Sequence, residues 1–377
     1  MIILSIILGK LNNNAQEIRI NKITNTFKKN KNKVIILNFR LFGKNQKFDD
    51  NIYTFSLTNI GTIFNVIEIC KRNKPNILFC NTYSPFLIAL ILKKLLLKNT
   101  IIICDVHGIG TLEANSDKEI SSISSFYIRY IIHLLLENIA FKYSDILLCV
   151  SNKMIIYLHK HYNVPNEKLY YLTNGVDTNL FKPSLNQFQI ENNKKKYGLN
   201  RYFIFGYLGG MNKLQGVDLF TNAANSFKND KIKYIVIGGK ENILNNKIVY
   251  VKRQPQEILS RFYDLCDVLV LPRPKILANE VAAPTKFFEY LAMGKPILST
   301  DVSDSSYYIK KFECGIVIED NVSSFHEAFY KFFTMNKTEL HRMGTNSRRL
   351  AIELFQWDDL GRKVNIFLKS MVERKNE

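Results

Sequence analysis

The stretch VAAPTKFFEYLAMGKPILST, Val281–Thr300, puts a lysine where a helix is least hospitable to one. A helix opening at Thr285 and stopped by Gly294 and Pro296 carries Lys286 in its first turn. Free N–H groups and the helix dipole already make that end positive. The placement costs roughly a few tenths to 1 kcal/mol unless an anion accompanies it. A phosphate would reconcile the two. Glu289 follows three residues on, along the same face, where a carboxylate can accept hydrogen bonds from a diol such as ribose. Alone, the two side chains read as an ion pair on an exposed helix.

Other loops supply complementary groups. In FGYLGGMNKLQGVDLF, Phe205–Phe220, a strand ends in Gly209 and Gly210, which let backbone approach a ligand, and Lys213 adds charge. The run does not match G-x-G-x-x-G, so no dinucleotide fingerprint is present. In ICDVHGIGTLE, Ile103–Glu113, an apolar strand delivers Asp105, His107 and Gly108 to its carboxyl end. That is a position for ligand contact; a plain hydrogen bond from His107 to Asp105 is the structural alternative. Asn174 and Gly175, in YLTNGVDTNLF, mark a turn where the chain crosses between two halves.

The elements needed to hold these loops are announced by short apolar runs alternating with helix-period segments. The opening MIILSIILG is short and lacks a basic flank, and is read as a buried first strand of a cytosolic chain. KVIILNF, NILFC, TIIICDVHG and DILLCVS follow in the first half. YFIFGYLGG, KYIVIGG, KIVYVK, CDVLVLP, KPILSTD and CGIVIED follow in the second. Continuous apolar runs separated by helices indicate parallel strands buried on both faces. The series begins twice, so the expectation is an α/β chain of two doubly wound domains, 1–178 and 179–349. The segment 350–377 is expected to be a helix returning to the first. Such sheets bind ligands beyond the carboxyl ends of their strands.

Composition narrows the class. Of 377 residues, 46% are hydrophobic and 23% charged, as in a globular protein. Lys and Arg number 52 against 33 Asp and Glu, a net charge of +19 that fits an anionic substrate or membrane surface. The basic residues are dispersed, without interleaved aromatics, so nucleic acid is not expected. The six cysteines form no C-x-x-C pair and read as reduced core thiols; no metal site is expected. Basic FKKNKNK, Phe27–Lys33, and apolar-basic SPFLIALILKKLLLKN, Ser84–Asn99, could touch an anionic membrane. For the second, capped by Ser84, burial against the sheet is the favoured reading.

In order and spacing, DVHG, VSNKM, TNGVDTNLF, GYLGG with QGVD, DVLVLP and PTKFFEYLAMGKPILST resemble the family 4 retaining glycosyltransferases of the GT-B fold. The resemblance covers nearly the whole chain. It implies two Rossmann-like domains facing across a cleft, with a sugar nucleotide, UDP- or GDP-linked, held mainly by the second. It also implies retention at the anomeric carbon, with neither a cofactor nor a metal ion. By position, Glu289 corresponds to the carboxylate on the donor ribose, and Thr285 and Lys286 to the diphosphate contact. Ala282 and Ala283 lie near the sugar through their peptide groups, Arg253 near the base, and Gly209 and Gly210 beneath the phosphates. His107 corresponds to the histidine lining the donor sugar. His107, Lys213 and Lys286 are the catalytic candidates.

Three departures accompany the resemblance. Cations common in relatives are replaced by Gly210 and Gln215, leaving Lys213 and Lys286 to stabilise the leaving diphosphate. Val281 stands where a sugar-binding glutamate is common, with Glu280 adjacent. Asn12–Arg19 replaces a Gly-Gly loop, and Arg19 is read as facing either the cleft or the surface. The expected activity is hexosyl transfer to a glycan or lipid-linked acceptor in cell-surface polysaccharide synthesis, in the cytoplasm at the inner membrane face. A sugar-nucleotide epimerase and an inactive partner subunit are the alternatives.

Overall fold

The computed structural model describes the chain apart from residues 10–14, 50, 117–122, 185, 245–246 and 377. Two compact units emerge: Met1–Thr173 with Trp357–Glu377 (unit 1), and Asn174–Gln356 (unit 2).

Unit 1 contains strands β1 (Ile2–Leu8), β2 (Lys33–Arg40), β3 (Gln46–Asp49), β4 (Ile52–Ser56), β5 (Ile77–Asn81), β6 (Ile101–Val106), β7 (Ile146–Cys149) and β8 (Leu169–Tyr171). They form one sheet in the order β3-β4-β2-β1-β5-β6-β7-β8. Every neighbouring pair is parallel except β3 with β4, at the edge. The apolar runs of β5, β6 and β7 are buried at every residue, as strands covered on both faces must be. The helix Trp357–Asn376 completes this unit: Trp357, Leu360, Val364 and Leu368, spaced along one face, join Ile23 and Phe27 in its core. The segment 350–377, read as one helix, instead takes in the end of Lys337–Leu354 and the whole of Trp357–Asn376, parted at Phe355 and Gln356.

The helix Phe86–Leu95 departs from its expected burial. Phe86, Ala89 and Leu92 face inward, but Leu87, Ile91 and Leu95 face solvent. Its N-cap is Pro85 with no capping side chain; Ser84, the expected cap, stands one residue earlier, its amide donating to Thr82 Oγ1 at 3.3 Å.

Unit 2 contains β9 (Phe203–Leu208), β10 (Ile232–Gly239), β11 (Ile243–Leu244), β12 (Ile248–Lys252), β13 (Val268–Leu271), β14 (Ile297–Thr300) and β15 (Gly315–Ile318). The order is β11-β12-β10-β9-β13-β14-β15, parallel but for the edge strand β11. The order reverses between β9 and β13, and in unit 1 between β1 and β5. A reversal opens a crevice beyond the carboxyl ends of the central strands. The six cysteines are buried and unpaired, and no helix among the described residues is long and apolar enough to cross a membrane.

Candidate functional site

Because the strands of unit 2 run parallel, the loops after β9, β10, β12 and β13 gather at one edge. The turn after β9 is wedged there by backbone. Gly209 donates its N–H to Ile237 O at 2.9 Å. Gly238, at φ +138°, has no room for a side chain, since a β-carbon would stand 1.7 Å from Gly209 O. The Tyr207 hydroxyl donates to Gly210 O at 2.5 Å and closes the turn from below. Arg253 follows β12, its N–H donating to Gly239 O at 3.0 Å, so it borders the Gly238–Gly239 end of β10.

Lys213 lies in a short turn, Lys213–Gln215, closed by Gly216 at φ +69°. A β-carbon on Gly216 would fall 1.8 Å from Pro272 O, which only glycine avoids. Arg273 Nε and Asn279 Nδ2 both donate to Leu214 O, at 3.3 and 3.1 Å. The turn bearing Lys213 is therefore locked onto the loop that follows β13.

That loop leads into the helix Thr285–Ala292, whose N-cap is Pro284 and whose first turn no side chain caps. Its free amides keep their capacity for an anion. Asn174 Nδ2 donates to Ala283 O at 2.7 Å, fixing the half-buried Ala282–Ala283 approach. Farther along the helix, the Tyr290 hydroxyl accepts from Leu208 N at 3.2 Å and donates to Val270 O at 3.4 Å. One phenol thus registers the helix against the ends of β9 and β13.

Lys286 Nζ pairs with Glu289 Oε2 at 3.0 Å, and the Tyr263 hydroxyl donates to the same oxygen. The pair exists, but not on an open surface as its spacing alone implies: Glu289 is 7% exposed. Burial, reinforced by the Glu289 charge, pushes the Tyr263 hydroxyl well above its usual range, so it stays protonated as a donor. Glu289 Oε1 has no bond within the chain among the described residues, and a carboxylate oxygen can accept from a ligand hydroxyl. Val281 is buried and its side chain offers no polar atom.

Unit 1 holds His107 by ionic rather than backbone means. Asp105, at the end of β6, is fully buried and meets His107 Nε2 at 2.6 Å. Arg19 grips the same carboxylate with Nε at 3.0 Å and Nη2 at 2.7 Å. Its remaining donors reach Leu172 O and Thr173 O at 2.8 and 2.9 Å. Burial alone would raise the Asp105 carboxyl, yet the charges of Arg19 and His107 and their hydrogen bonds hold it well below the usual range. A carboxylate accepts, so Nε2 carries the proton and donates; His107 Nδ1 is buried with no partner among the described residues. Arg19, read from sequence as facing the cleft or the surface, is neither: it is 2% exposed, drawn inward by the Asp105 charge. Asn12–Asn14 lie outside the described residues.

The structure thus gathers Gly209, Gly210, Lys213, Arg253, Ala282, Ala283, Thr285, Lys286 and Glu289 along one edge of unit 2; His107 belongs to unit 1. Sequence reasoning missed Tyr263, Tyr290, Asn279, Gly216 and Gly238. The doublet Gly238–Gly239 closing an apolar run was the one available signal.

Comparison with known proteins bears on the family and fold of the chain. The model described as Glycosyl transferases group 1 matches residues 189–350, and that described as Glycosyltransferase Family 4 matches residues 44–180. Over 231 residues the chain is 22% identical to a Bacillus subtilis (strain 168) protein provisionally named teichuronic acid biosynthesis glycosyltransferase TuaH. The match takes in 59% of this chain and 56% of that protein, so the chain spans little more than half the length of this curated relative. The solved sucrose-phosphate synthase (tll1590) of Thermosynechococcus elongatus superposes with a TM-score of 0.76 at 14% identity, over 99% of both chains. Anabaena Alr3699/HepE in complex with UDP-glucose gives 0.73 at 13% identity, over 98% of this chain and 100% of that one. Identities this low establish the fold alone. With both halves matched by family models and both sheets wound as described, the chain belongs to the family 4 glycosyltransferases of the GT-B fold.

Proposed function

We propose that this chain transfers a sugar from a nucleoside-diphosphate sugar to a hydroxyl of a glycan or lipid-linked acceptor, with retention at the anomeric carbon and without a metal ion. The observation that carries this reading is the uncapped start of the helix Thr285–Ala292, with Lys286 and Glu289 fixed beside the Gly209–Gly210 turn. A diphosphate would lie against the Thr285 amide, Lys286, Lys213 and the Gly209–Gly210 backbone. Glu289 would accept from the ribose hydroxyls, Arg253 would border the base, and the peptide groups of Ala282 and Ala283 would meet the sugar. His107 is assigned to the sugar on the resemblance. UDP is the favoured nucleotide, because a solved GT-B relative is described with UDP-glucose. The relative named for teichuronic acid biosynthesis supports a cell-surface polysaccharide as the product; a cytoplasmic location with peripheral contact at the inner membrane face belongs to the same proposal.

In this mechanism the acceptor oxygen attacks the anomeric carbon on the leaving-group side. The bond to the diphosphate breaks as the new glycosidic bond forms, and the hydroxyl proton passes to the departing phosphate oxygen. No protein nucleophile is needed. Lys286, Lys213 and the helix amides would stabilise the growing charge, and positioning would supply the rest. A thermal-shift screen against UDP-, GDP- and ADP-sugars tests donor binding, since a ligand held only by the folded state raises the melting temperature. A shift with UDP-sugars and an acceptor-dependent increase in product mass are expected. An isomerised sugar formed without acceptor would favour epimerisation, and no shift with any sugar nucleotide would favour an inactive partner.

A further inference from the structure

Two neighbouring helices of unit 1 turn apolar stripes outward. On Ile123–Tyr143, Ile128, Ile131, Ile132 and Leu135 fall at i, i+3, i+4 and i+7, one face of the helix, and each is between 51% and 61% exposed. On Phe86–Leu95, which packs beside it, Leu87, Ile91 and Leu95 repeat every fourth residue at 40%, 56% and 73% exposure. Stripes at this spacing ordinarily face a core. Here each helix has already committed its opposite face inward, through Phe86, Ala89 and Leu92 on one and Phe126, Ala140 and Phe141 on the other. The outward stripes are a second apolar surface, larger than isolated exposed residues make.

The charges around the stripes indicate what covers them. Lys94 and Lys98 border the shorter helix, and Arg129 and Lys142 lie on the longer one, all exposed. The acidic residue of these two helices, Glu137, is fully buried, accepting from Thr111 Oγ1 at 2.8 Å and Tyr162 Oη at 2.7 Å. The two helices therefore present greasy side chains with exposed charge that is basic alone, while Asp145, just beyond the longer helix, is taken up by Lys93 at 2.6 Å. Pairing with a second copy about a twofold axis would set cation against cation. An anionic bilayer satisfies both parts: alkyl side chains enter the headgroup boundary, and lysines reach the phosphates on flexible stems.

We propose that the outward stripes of Phe86–Leu95 and Ile123–Tyr143 form the surface by which this protein lies on an anionic membrane. The proposal deepens the membrane contact of the functional reading and rests on it, naming the residues that make the contact.

The test uses the full chain with phosphatidylglycerol vesicles and with phosphatidylcholine vesicles. Co-sedimentation is expected with the first, weakening as salt rises, and little with the second. The triple variant Ile128→Gln, Ile132→Gln, Leu135→Gln, chosen because glutamine favours helix and the sites are solvent-facing, should bind at least about ten-fold more weakly. The pair Lys94→Gln, Lys98→Gln should bind more weakly and lose much of the salt dependence, which supplies the test should the triple variant fold poorly. UDP-sugar thermal shifts should be the same for wild type and variants. Wild-type failure to bind phosphatidylglycerol vesicles, or undiminished binding by the folded variants, overturns the proposal. So does a lipid-free dimer that the triple variant makes monomeric, which would assign the face to self-association. Loss of the UDP-sugar shift in the wild type strikes the functional reading instead and leaves the vesicle result standing.

Discussion

The two units share a reversed parallel sheet yet hold their candidate residues by different physics. In unit 2 the scaffold is largely steric, with the Lys286–Glu289 pair and the Arg273 guanidinium its charged parts. Gly216 and Gly238 admit carbonyls where no β-carbon fits, and the Tyr290 hydroxyl pins a helix to two strand ends. In unit 1 the scaffold is ionic: Arg19 and His107 converge on one buried carboxylate, Asp105. A steric wedge is indifferent to pH and salt, whereas a buried ion cluster carries a desolvation cost that its partners must offset. Rigid, largely neutral walls suit a site that receives a charged ligand, because they compete little for it. An ionic anchor ties the histidine to one protonation state of its neighbour. The outer surfaces differ as well. Exposed apolar residues of unit 2, such as Phe188, Ile243 and Tyr330, stand on separate elements, while on two helices of unit 1 they align in stripes.

The sharpest way to break the contrast is Asp105→Asn. Shape is retained, but the buried guanidinium of Arg19 loses its counter-charge, and removal of one partner from such a pair costs about 3–5 kcal/mol. Denaturant unfolding should show that loss, and hydrogen exchange should place it in unit 1 peptides. Parent-like stability would mean that the ion cluster is not the anchor.

The corresponding change in unit 2 affects chemistry more than stability. Lys286→Ala removes a cation aimed at the proposed diphosphate and should lower kcat by about 10²–10³-fold, the range seen when one preorganised electrostatic group is removed. The cost to the fold should be smaller than for Asp105→Asn, since Lys286 is partly exposed and the Tyr263 hydroxyl still donates to Glu289. A near-normal rate would remove Lys286 from the mechanism. Gly216→Ala tests the wedge itself: a positive φ and a carbonyl 1.8 Å from the new methyl should cost about 2–3 kcal/mol, read as a lower melting temperature. An unchanged melting temperature would show that the Lys213 turn is not locked to the Pro272 carbonyl.

The same division governs what the sequence discloses. Central strands such as β5, β6, β9, β10 and β13 are legible because burial on both faces demands continuous apolar runs. The edge strands β3, β8 and β11 and the neighbouring β4 are not, since QKFD or LYY carries no such run. Lys286 and Glu289 are legible because their meaning is local, a cation at a helix start and a carboxylate one turn on. Tyr263 and Tyr290 read as plain core aromatics, because the atoms their hydroxyls meet lie 26 and 82 residues away. Arg19 is the extreme case, with partners 86 and 154 residues distant, and a lone arginine on an amphipathic helix ordinarily belongs to the surface. Nor does composition disclose the stripe on Ile123–Tyr143, because a helix apolar on every side gives no sign of which face is left uncovered.

Acid should separate the units by a smaller effect. Asp105 is held below the usual carboxylate range, so its stabilisation is complete above about pH 4 and is lost as pH falls through its lowered value. In unit 2, burial raises Asp264 and Asp267 despite hydrogen bonds from Ser184 N and Ile204 N. Their ionised forms carry a cost at neutral pH that protonation relieves. Asp301, lowered by its bond with Lys310 at the surface, opposes this weakly. Hydrogen exchange followed from pH 7 to about pH 3 should therefore show unit 1 loosening first. Unit 2 opening first, or the two together, would reverse the assignment of the ionic anchor to unit 1.

The smallest effect probes how Glu289 is aimed. Tyr263→Phe deletes one hydroxyl from a buried phenol and keeps the ring, which stacks edge-on against Tyr290 at 5.4 Å. Glu289 Oε2 then keeps Lys286 alone, and the lost bond is worth about 1–1.5 kcal/mol. If the carboxylate positions a ribose, that loss should appear as a several-fold higher KM for the donor with kcat little changed, because the ribose is held equally in ground and transition states. Tyr290→Phe is the matched control. It frees Leu208 N, loosens the turn that carries Gly209, and should lower kcat along with stability. Two phenols on one side of the sheet would then be distinguished by kinetics, one aiming a ligand-binding carboxylate and one holding the backbone that carries the phosphate loop. Identical profiles for the two variants would show instead that both act only through packing, and that Glu289 is held by Lys286 alone.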